Sequence, residues 1–335
     1  MDCEKVRRRR CTLRTVRAAV PAVLMLLAAV AAPAVAGPLP VPPWLFPGEG
    51  DLPQGPFDAV QPLHLPDSTL TYTEAQLFDE FAVPDWHPDS HPPMPTVVAR
   101  GRPPQVYACG YCHLANGQGR PENAALAGLP REYLLQQLAD FKSGERRVAW
   151  PGPNAPSDSM IALAGHLEAT DAVQAAGYFA RLKLHQRSHV IEGATLPEVK
   201  VSGWTYVPTG SGPSERLGER LIEVAPDAQR DARRDDELVY DAYVPAGSLA
   251  RGRDLAAGKA PGTLACATCH GADLRGAALF PPIAGRSASY VLRQLFAFRN
   301  GTRRSAAAQA MAPVVERLTE RDLIALAAYV ASLEP

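Results

Sequence analysis

Apolar side chains recur with helical period in two separate regions of the chain and with strand period in the region between them. Leu134, Leu138 and Phe141 fall at helical intervals over about residues 131–143, with Gly144 just beyond, and residues 288–300 carry the same pattern ahead of Gly301. A last helix in each region is predicted over about residues 171–182 and 320–333. In the latter, Thr319 and Asp322 form a capping-box pattern ahead of Leu323, Leu326, Ala327 and Val330. A shorter helix is predicted over 71–81, with Thr73 as its cap and Ala75, Leu77, Phe78 and Phe81 as its apolar face. The segment 183–245 is too long for a passive connection. Alternation through Val199, Val201, Trp204 and Tyr206, and then Leu221, Ile222 and Val224, predicts short strands there, separated by a turn over 208–213. The charged run 227–237 reads as a solvated surface stretch.

The two helical regions are copies of one another. Ala127-Gly128, Tyr133, Gln137-Leu138, Phe141, Gly144 and Arg146-Arg147 each recur 157 residues later, as Ala284-Gly285, Tyr290, Gln294-Leu295, Phe298, Gly301 and Arg303-Arg304. The first copy is then six residues longer, through Trp150-Pro151-Gly152-Pro153, after which Met160 faces Met311 and Tyr178 faces Tyr329 at an offset of 151. Upstream, Ala99-Arg100-Gly101-Arg102 matches Ala250-Arg251-Gly252-Arg253 at that same offset. Each copy is expected to hold three helices, the first of which precedes or contains the motif described next; Ser248 is the expected cap of that helix in the second copy.

Within the constant offset stand Cys109-Gly110-Tyr111-Cys112-His113 and Cys266-Ala267-Thr268-Cys269-His270. C-x-x-C-H is the attachment signature of c-type haem, in which two thiols form thioethers with the vinyl groups and the adjacent His ligates the iron. Cys109, Cys112, His113, Cys266, Cys269 and His270 are therefore the expected cofactor-binding residues, for two covalently attached haem c groups. A zinc site made from two C-x-x-C pairs is the alternative, but zinc requires neither the His after each pair nor a full repeat around it. Met160 and Met311, at matched positions ahead of each last helix, are the expected sixth ligands of the iron, and His166 is the rival at the first haem. His113, Met160, His270 and Met311 make up the expected metal-ligand set. Arg146, Arg147, Arg303, Arg304, Gln137 and Gln294 recur in both copies as donors for haem propionates, or else as solvated surface groups. His87, His91 and Met94 offer a copper alternative, although in a Pro-rich loop they read more simply as turn residues.

Composition adds compartment and boundaries. Of 335 residues 33 are Pro, concentrated ahead of the first motif, so 37–95 reads as an extended wrapping segment with few helices and short strands. Residues 1–36 read as an export signal: Arg7 to Arg10, Arg14 and Arg17 precede an uncharged stretch ending in Ala34-Val35-Ala36. An uncleaved membrane anchor and a twin-arginine signal are the alternatives. Removing this leader takes away Cys3 and Cys11, so all four remaining cysteines lie in the two motifs and no structural disulfide is available. The leader carries seven basic and two acidic residues, a surplus of five. The rest of the chain, formally −1 with it, is −6 without it, which argues against a nucleic-acid partner.

Both copies resemble class I cytochrome c domains, and the pair is similar to the tandem dihaem periplasmic cytochromes c. The resemblance covers about residues 96–182 and 247–333. It implies a mainly α fold of two tandem cytochrome c-like helical domains, with the Pro-rich N-terminal segment and a possible short β element between the domains as additions. The expected organisation is a signal peptide over 1–36, a Pro-rich extension over 37–95, a first domain over 96–182, an inter-domain segment over 183–246 and a second domain over 247–335. In that family a Pro carbonyl accepts from the proximal His; Pro281 or Pro282 fits in the second copy, where the first has Ala124 and Ala125. The implied activity is single-electron transfer in the periplasm, with periplasmic redox proteins or a membrane respiratory complex as partners, and membrane association only if the leader is retained. A dihaem enzyme, of peroxidase or thiosulfate dehydrogenase-like type, and a cytochrome subunit of a dehydrogenase or oxidase complex are the alternatives. Because the first copy has the insertion and lacks the loop prolines, two haems of unequal potential are expected.

Overall fold

The computed structural model describes residues 37–48, 50, 56–210, 212–260 and 263–335. The expected leader over 1–36, with Cys3 and Cys11, lies outside the described residues. In the Pro-rich extension β1 (Pro62–His64) pairs antiparallel with β2 (Thr71–Thr73), which leads into α1 (Glu74–Leu77). Thr73 caps α1 in a full capping box with Gln76. The helix expected over 71–81 is reduced to this one turn, because its first residues pair as a strand and the Asp79 carboxylate takes the Phe81 N–H at 2.9 Å, a local bond that competes with helix propagation. Leu65, Leu77 and Trp86 close a small core of their own.

The first motif-bearing unit follows, with α2 (Thr96–Ala99), α3 (Cys109–His113), α4 (Arg131–Ser143), α5 (Ala155–His166) and α6 (Ala169–Phe179). Helix α4 stops where Gly144 takes a left-handed conformation, φ 74°, as a C-terminal glycine allows. Helix α5 begins just after the inserted residues and carries Met160; Asn154 caps it by accepting the Ser157 N–H at 3.2 Å, and Pro156 sits in its first turn. Val97, Val98, Leu134, Tyr178 and Phe179 form the core that these helices share.

The middle segment holds far more sheet than the short element expected. Its strands are β3 (Ser188–Glu192), β4 (Thr195–Leu196), β5 (Val199–Ser202), β6 (Thr205–Pro208), β7 (Glu215–Arg216), β8 (Ile222–Val224) and β9 (Tyr240–Val244), with α7 (Ala228–Ala232) between the last two. Five of them form a mixed sheet in the order β3-β9-β8-β6-β5. The first hairpin turns at Gly203-Trp204, so the alternation through Val199 and Tyr206 spans two strands rather than one, and the turn expected over 208–213 opens on Pro208, the last residue of β6. The chain is thus helical around the two motifs and sheet between them.

The charged run 227–237 is solvated only in part. Asp231, Asp235 and Asp236 are only 4%, 1% and 3% exposed. Burial is tolerable because each carboxylate has partners. Asp231 accepts from Tyr240 at 2.9 Å and Arg120 at 2.8 Å, Asp235 from Arg230 and the Glu237 N–H, and Asp236 from His87 Nδ1 at 2.6 Å. The partners come from three parts of the chain, and no local pattern announces them.

The second unit contains α8 (Ser248–Ala256), α9 (Ala267–His270), α10 (Ala288–Arg299), α11 (Ala312–Val315) and α12 (Glu320–Ser332). Ser248 does not cap α8: Gly247 holds the N-cap position, and the Ser248 hydroxyl donates to the Pro245 carbonyl at 2.6 Å. The capping box of Thr319 and Asp322 at α12 is present as expected. Gly252 lets α8 lie against α12, since a Cβ there would collide with the Ala325 carbonyl. Leu255, Leu292, Phe296, Leu323, Ile324 and Ala327 are buried together.

Candidate functional site

Each C-x-x-C-H forms one short helix, α3 or α9, whose carbonyl-capped His ends the turn. His113 Nδ1 donates to Ala124 O at 2.8 Å, and His270 Nδ1 donates to Pro281 O at 2.8 Å. Because a carbonyl only accepts, the proton sits on Nδ1 and the Nε2 lone pair is left for a metal. The loop prolines that the first copy lacks therefore do not decide this geometry; the backbone carbonyl does, and Ala124 supplies it equally well. Burial drives His113 down to about 4 and lowers His270, which keeps both rings neutral. The same desolvation pushes the Cys109 thiol up to about 12 and raises Cys112 and Cys266.

Cys109, Cys112 and His113 face a cavity of about 470 Å³, which Met160 also lines. His166, the rival to Met160, is exposed and is not among the lining residues. The wall is mostly apolar, and it is not built by the first unit alone. Phe57 and Phe78, stacked at 4.3 Å, come from the extension, Trp204 and Arg234 from the middle segment, and Tyr290 and Arg293 from the second unit. These residues escape sequence reasoning; Tyr290, matched to Tyr133 in the repeat, is the one with a signal. Five guanidiniums, from Arg120, Arg146, Arg147, Arg234 and Arg293, stand against the two carboxylates of Glu80 and Glu122 along this wall.

The repeated arginines and glutamines meet across the boundary between the copies. Arg146 and Arg303 pair as an isolated antiparallel bridge, and the Arg147 and Arg304 amides donate to Thr302 and Glu145 carbonyls, each at 2.9 Å. Arg146 reaches Gln137 and Tyr290, both at 2.9 Å, while Arg303 reaches Gln294 at 2.9 Å and Gln137 at 2.7 Å. Arg147 and Arg304 are exposed, whereas Arg146 and Arg303 are each 8% exposed and, among the described residues, make no ion pair. Burial draws Arg303 below the ordinary guanidinium range and Arg286 to about 10. The Arg303 Nε is buried without a partner. Unneutralised guanidiniums this deep call for anions.

The two motifs sit in unlike surroundings. Leu264, Leu279 and Phe280 around the second are 56%, 70% and 41% exposed. Their repeat positions in the first unit are Tyr107, Glu122 and Asn123. Tyr107 packs edge-on against Phe81 of the extension at 5.5 Å, and Glu122 accepts from Thr205 of the middle segment at 2.9 Å. His87, His91 and Met94 do not act together: His87 bonds to Asp236, His91 contacts Asp85 at 3.1 Å and Tyr178 at 3.0 Å, and Met94 packs on the first core. Met311 ends a 3-10 turn, Ala308–Met311, at the rim of the second core.

Two thiols and an imidazole on one wall, an apolar interior and a surplus of buried guanidiniums together match a haem, which combines an apolar macrocycle with two carboxylates. The comparisons with known proteins agree. The family model "Cytochrome c" matches residues 250–334. The thiosulfate dehydrogenase electron acceptor of Thiomonas intermedia is 29% identical over 233 residues, covering 69% of this chain and 80% of its own length. Cytochrome c4 of Pseudomonas aeruginosa is 27% identical over 229 residues, covering 67% and 83%. Cytochrome c-554(547) of Halothiobacillus neapolitanus is 34% identical over 89 residues, covering 24% of this chain and 98% of its own length. Among the described residues no helix is long and apolar enough to cross a membrane. Two matched attachment motifs, each with its His fixed by a backbone carbonyl, and these relatives establish the chain as a member of the cytochrome c family, a dihaem class I c-type cytochrome that transfers electrons.

Proposed function

We propose that this protein carries single electrons in the periplasm between redox partners, through haems held by Cys109, Cys112, Cys266 and Cys269 with His113/Met160 and His270/Met311 as the axial ligand pairs. When bound, each haem supplies a one-electron iron couple. The chain's own residues do the rest. The carbonyls of Ala124 and Pro281 fix the imidazole tautomers, the apolar wall of the first cavity excludes water, and Arg146 on that wall would neutralise a propionate. The observation that carries the reading is that Met160 lines the same cavity as His113. An iron held by both His113 and Met160 would have no position open to a substrate, which favours electron transfer over substrate turnover.

The far-red Met-to-iron band of the oxidised protein tests this. It is expected to report two equivalents, with half lost in Met160→Ala and the other half in Met311→Ala. An undiminished band in either variant removes that ligand from the assignment, and high-spin iron in the resting protein favours a dihaem enzyme.

In this reading residues 1–36 direct export, 96–182 and 247–335 bear the haems, and 37–95 and 183–246 cover the first of them. Two relatives are named thiosulfate dehydrogenase electron acceptor, so a dehydrogenase of that class is the proposed donor. Haem reduction by such an enzyme with thiosulfate is the check, and no reduction removes that donor.

A further inference from the structure

One residue of the middle segment ties the first attachment motif to the rest of the molecule. Arg234 sets its guanidinium 3.8 Å over the ring of Tyr111, the residue between the motif cysteines. It donates to the Tyr111 carbonyl at 2.9 Å and to the Leu77 carbonyl of the extension at 3.1 Å. It also lines the cavity shared by Cys112 and His113. Its backbone lies at φ +57°, in the left-handed region that favours glycine. The second motif has Thr268 in place of Tyr111, exposed and without a ring to receive a cation.

We propose that Arg234 is a positioning residue of the first haem: it clamps the Cys109–His113 helix through Tyr111 and holds a fixed positive charge beside the attachment edge, which raises the first haem's potential above the second's. This rests on the dihaem reading given above. A cation favours the reduced iron because reduction removes one positive charge from its neighbourhood. At an effective dielectric constant of about 20, a unit charge about 12 Å away biases a one-electron equilibrium about tenfold.

The test uses the full holoprotein, with haem content measured as pyridine haemochrome and both midpoints by spectroelectrochemistry. The first haem is assigned by the far-red band that Met160→Ala removes. In Arg234→Gln the equilibrium constant for passing an electron from the second haem to the first should fall about tenfold, or about 59 mV for a one-electron couple. The second midpoint should stay in place, and Arg234→Lys should restore most of the shift. Arg234→Met, which keeps the stem over Tyr111, substitutes if the Gln variant does not assemble. Two haems present with neither midpoint moved, or with both moved equally, overturns the proposal and leaves the dihaem reading standing. Fewer than two haems in the unaltered protein overturns both.

Discussion

Trp86→Ala should release the extension from the first motif while leaving the second unit folded. Trp86 is 1% exposed, meets Tyr72 edge-on at 4.7 Å and donates its indole N–H to the Arg233 carbonyl at 2.7 Å, one residue before Arg234. Removing a buried Trp of this kind costs about 3–5 kcal/mol. The lost donor also strands a carbonyl, which is part of that sum rather than an addition to it. The small core of Leu65, Leu77 and Trp86 stands apart from the other clusters, so the cost should fall on local opening rather than on the whole chain. Opening of residues 62–90 should become more populated by about two to three and a half powers of ten. Hydrogen exchange followed by mass spectrometry on the holoprotein reads this directly. Peptides over 62–90 and 109–113 should lose protection, and those over 288–299 and 320–332 should keep it. Unchanged protection over 62–90, or equal loss everywhere, refutes the picture of an independently held cover.

Pro281→Ala should leave the second haem's midpoint in place, because the carbonyl that holds His270 survives, while stability falls by about 0.4–1 kcal/mol through greater freedom of the unfolded chain; a shifted midpoint in a redox titration would show that the ring itself matters. Gly252→Ala should destabilise by about 1–3 kcal/mol in denaturant unfolding, since the added methyl meets the Ala325 backbone and no side chain can yield; a neutral result would mean that α8 and α12 cross less closely. Burial pushes the Asp322 carboxyl up, but the Thr319 hydroxyl and amide and Arg251 outweigh it and hold the group below its ordinary 3.8. Its stabilisation is therefore complete above that value and is lost as pH falls through the lowered one. The melting difference between Asp322→Asn and the unaltered protein should be constant from pH 5 to 8 and shrink below about pH 4, and a difference that does not vary with pH would contradict it.

The elements that local pattern could specify are in place. Helices α4, α10 and α12 lie within a residue or two of where the apolar period puts them, because each carries its own signals, such as the glycine after α4 and the capping box of α12. Elements whose reasons are distant were not legible. Strands β3 and β9 pair parallel between residues 52 apart in sequence, as Ser188 with Tyr240, so neither announces its partner. The acids of 227–237 look like solvent-facing charge until His87, Arg120 and Tyr240 are brought to them.

The same division runs through the site. The motifs name the thiols and imidazoles, since haem attachment is a matter of spacing within five residues, and the repeat pairs Met160 with Met311. The insertion and the missing loop prolines already mark the two settings as unequal in sequence; what only the tertiary structure decides is which residues make them so. Phe57, Phe78, Trp204 and Arg234 reach the first motif from two segments outside the repeat, while Leu264, Leu279 and Phe280 are left open around the second. Covalent chemistry needs neighbours in sequence, and a low-dielectric pocket needs neighbours in space. The sequence could therefore state that there are two haem sites in unlike settings, and only the fold could name the residues that make them unlike.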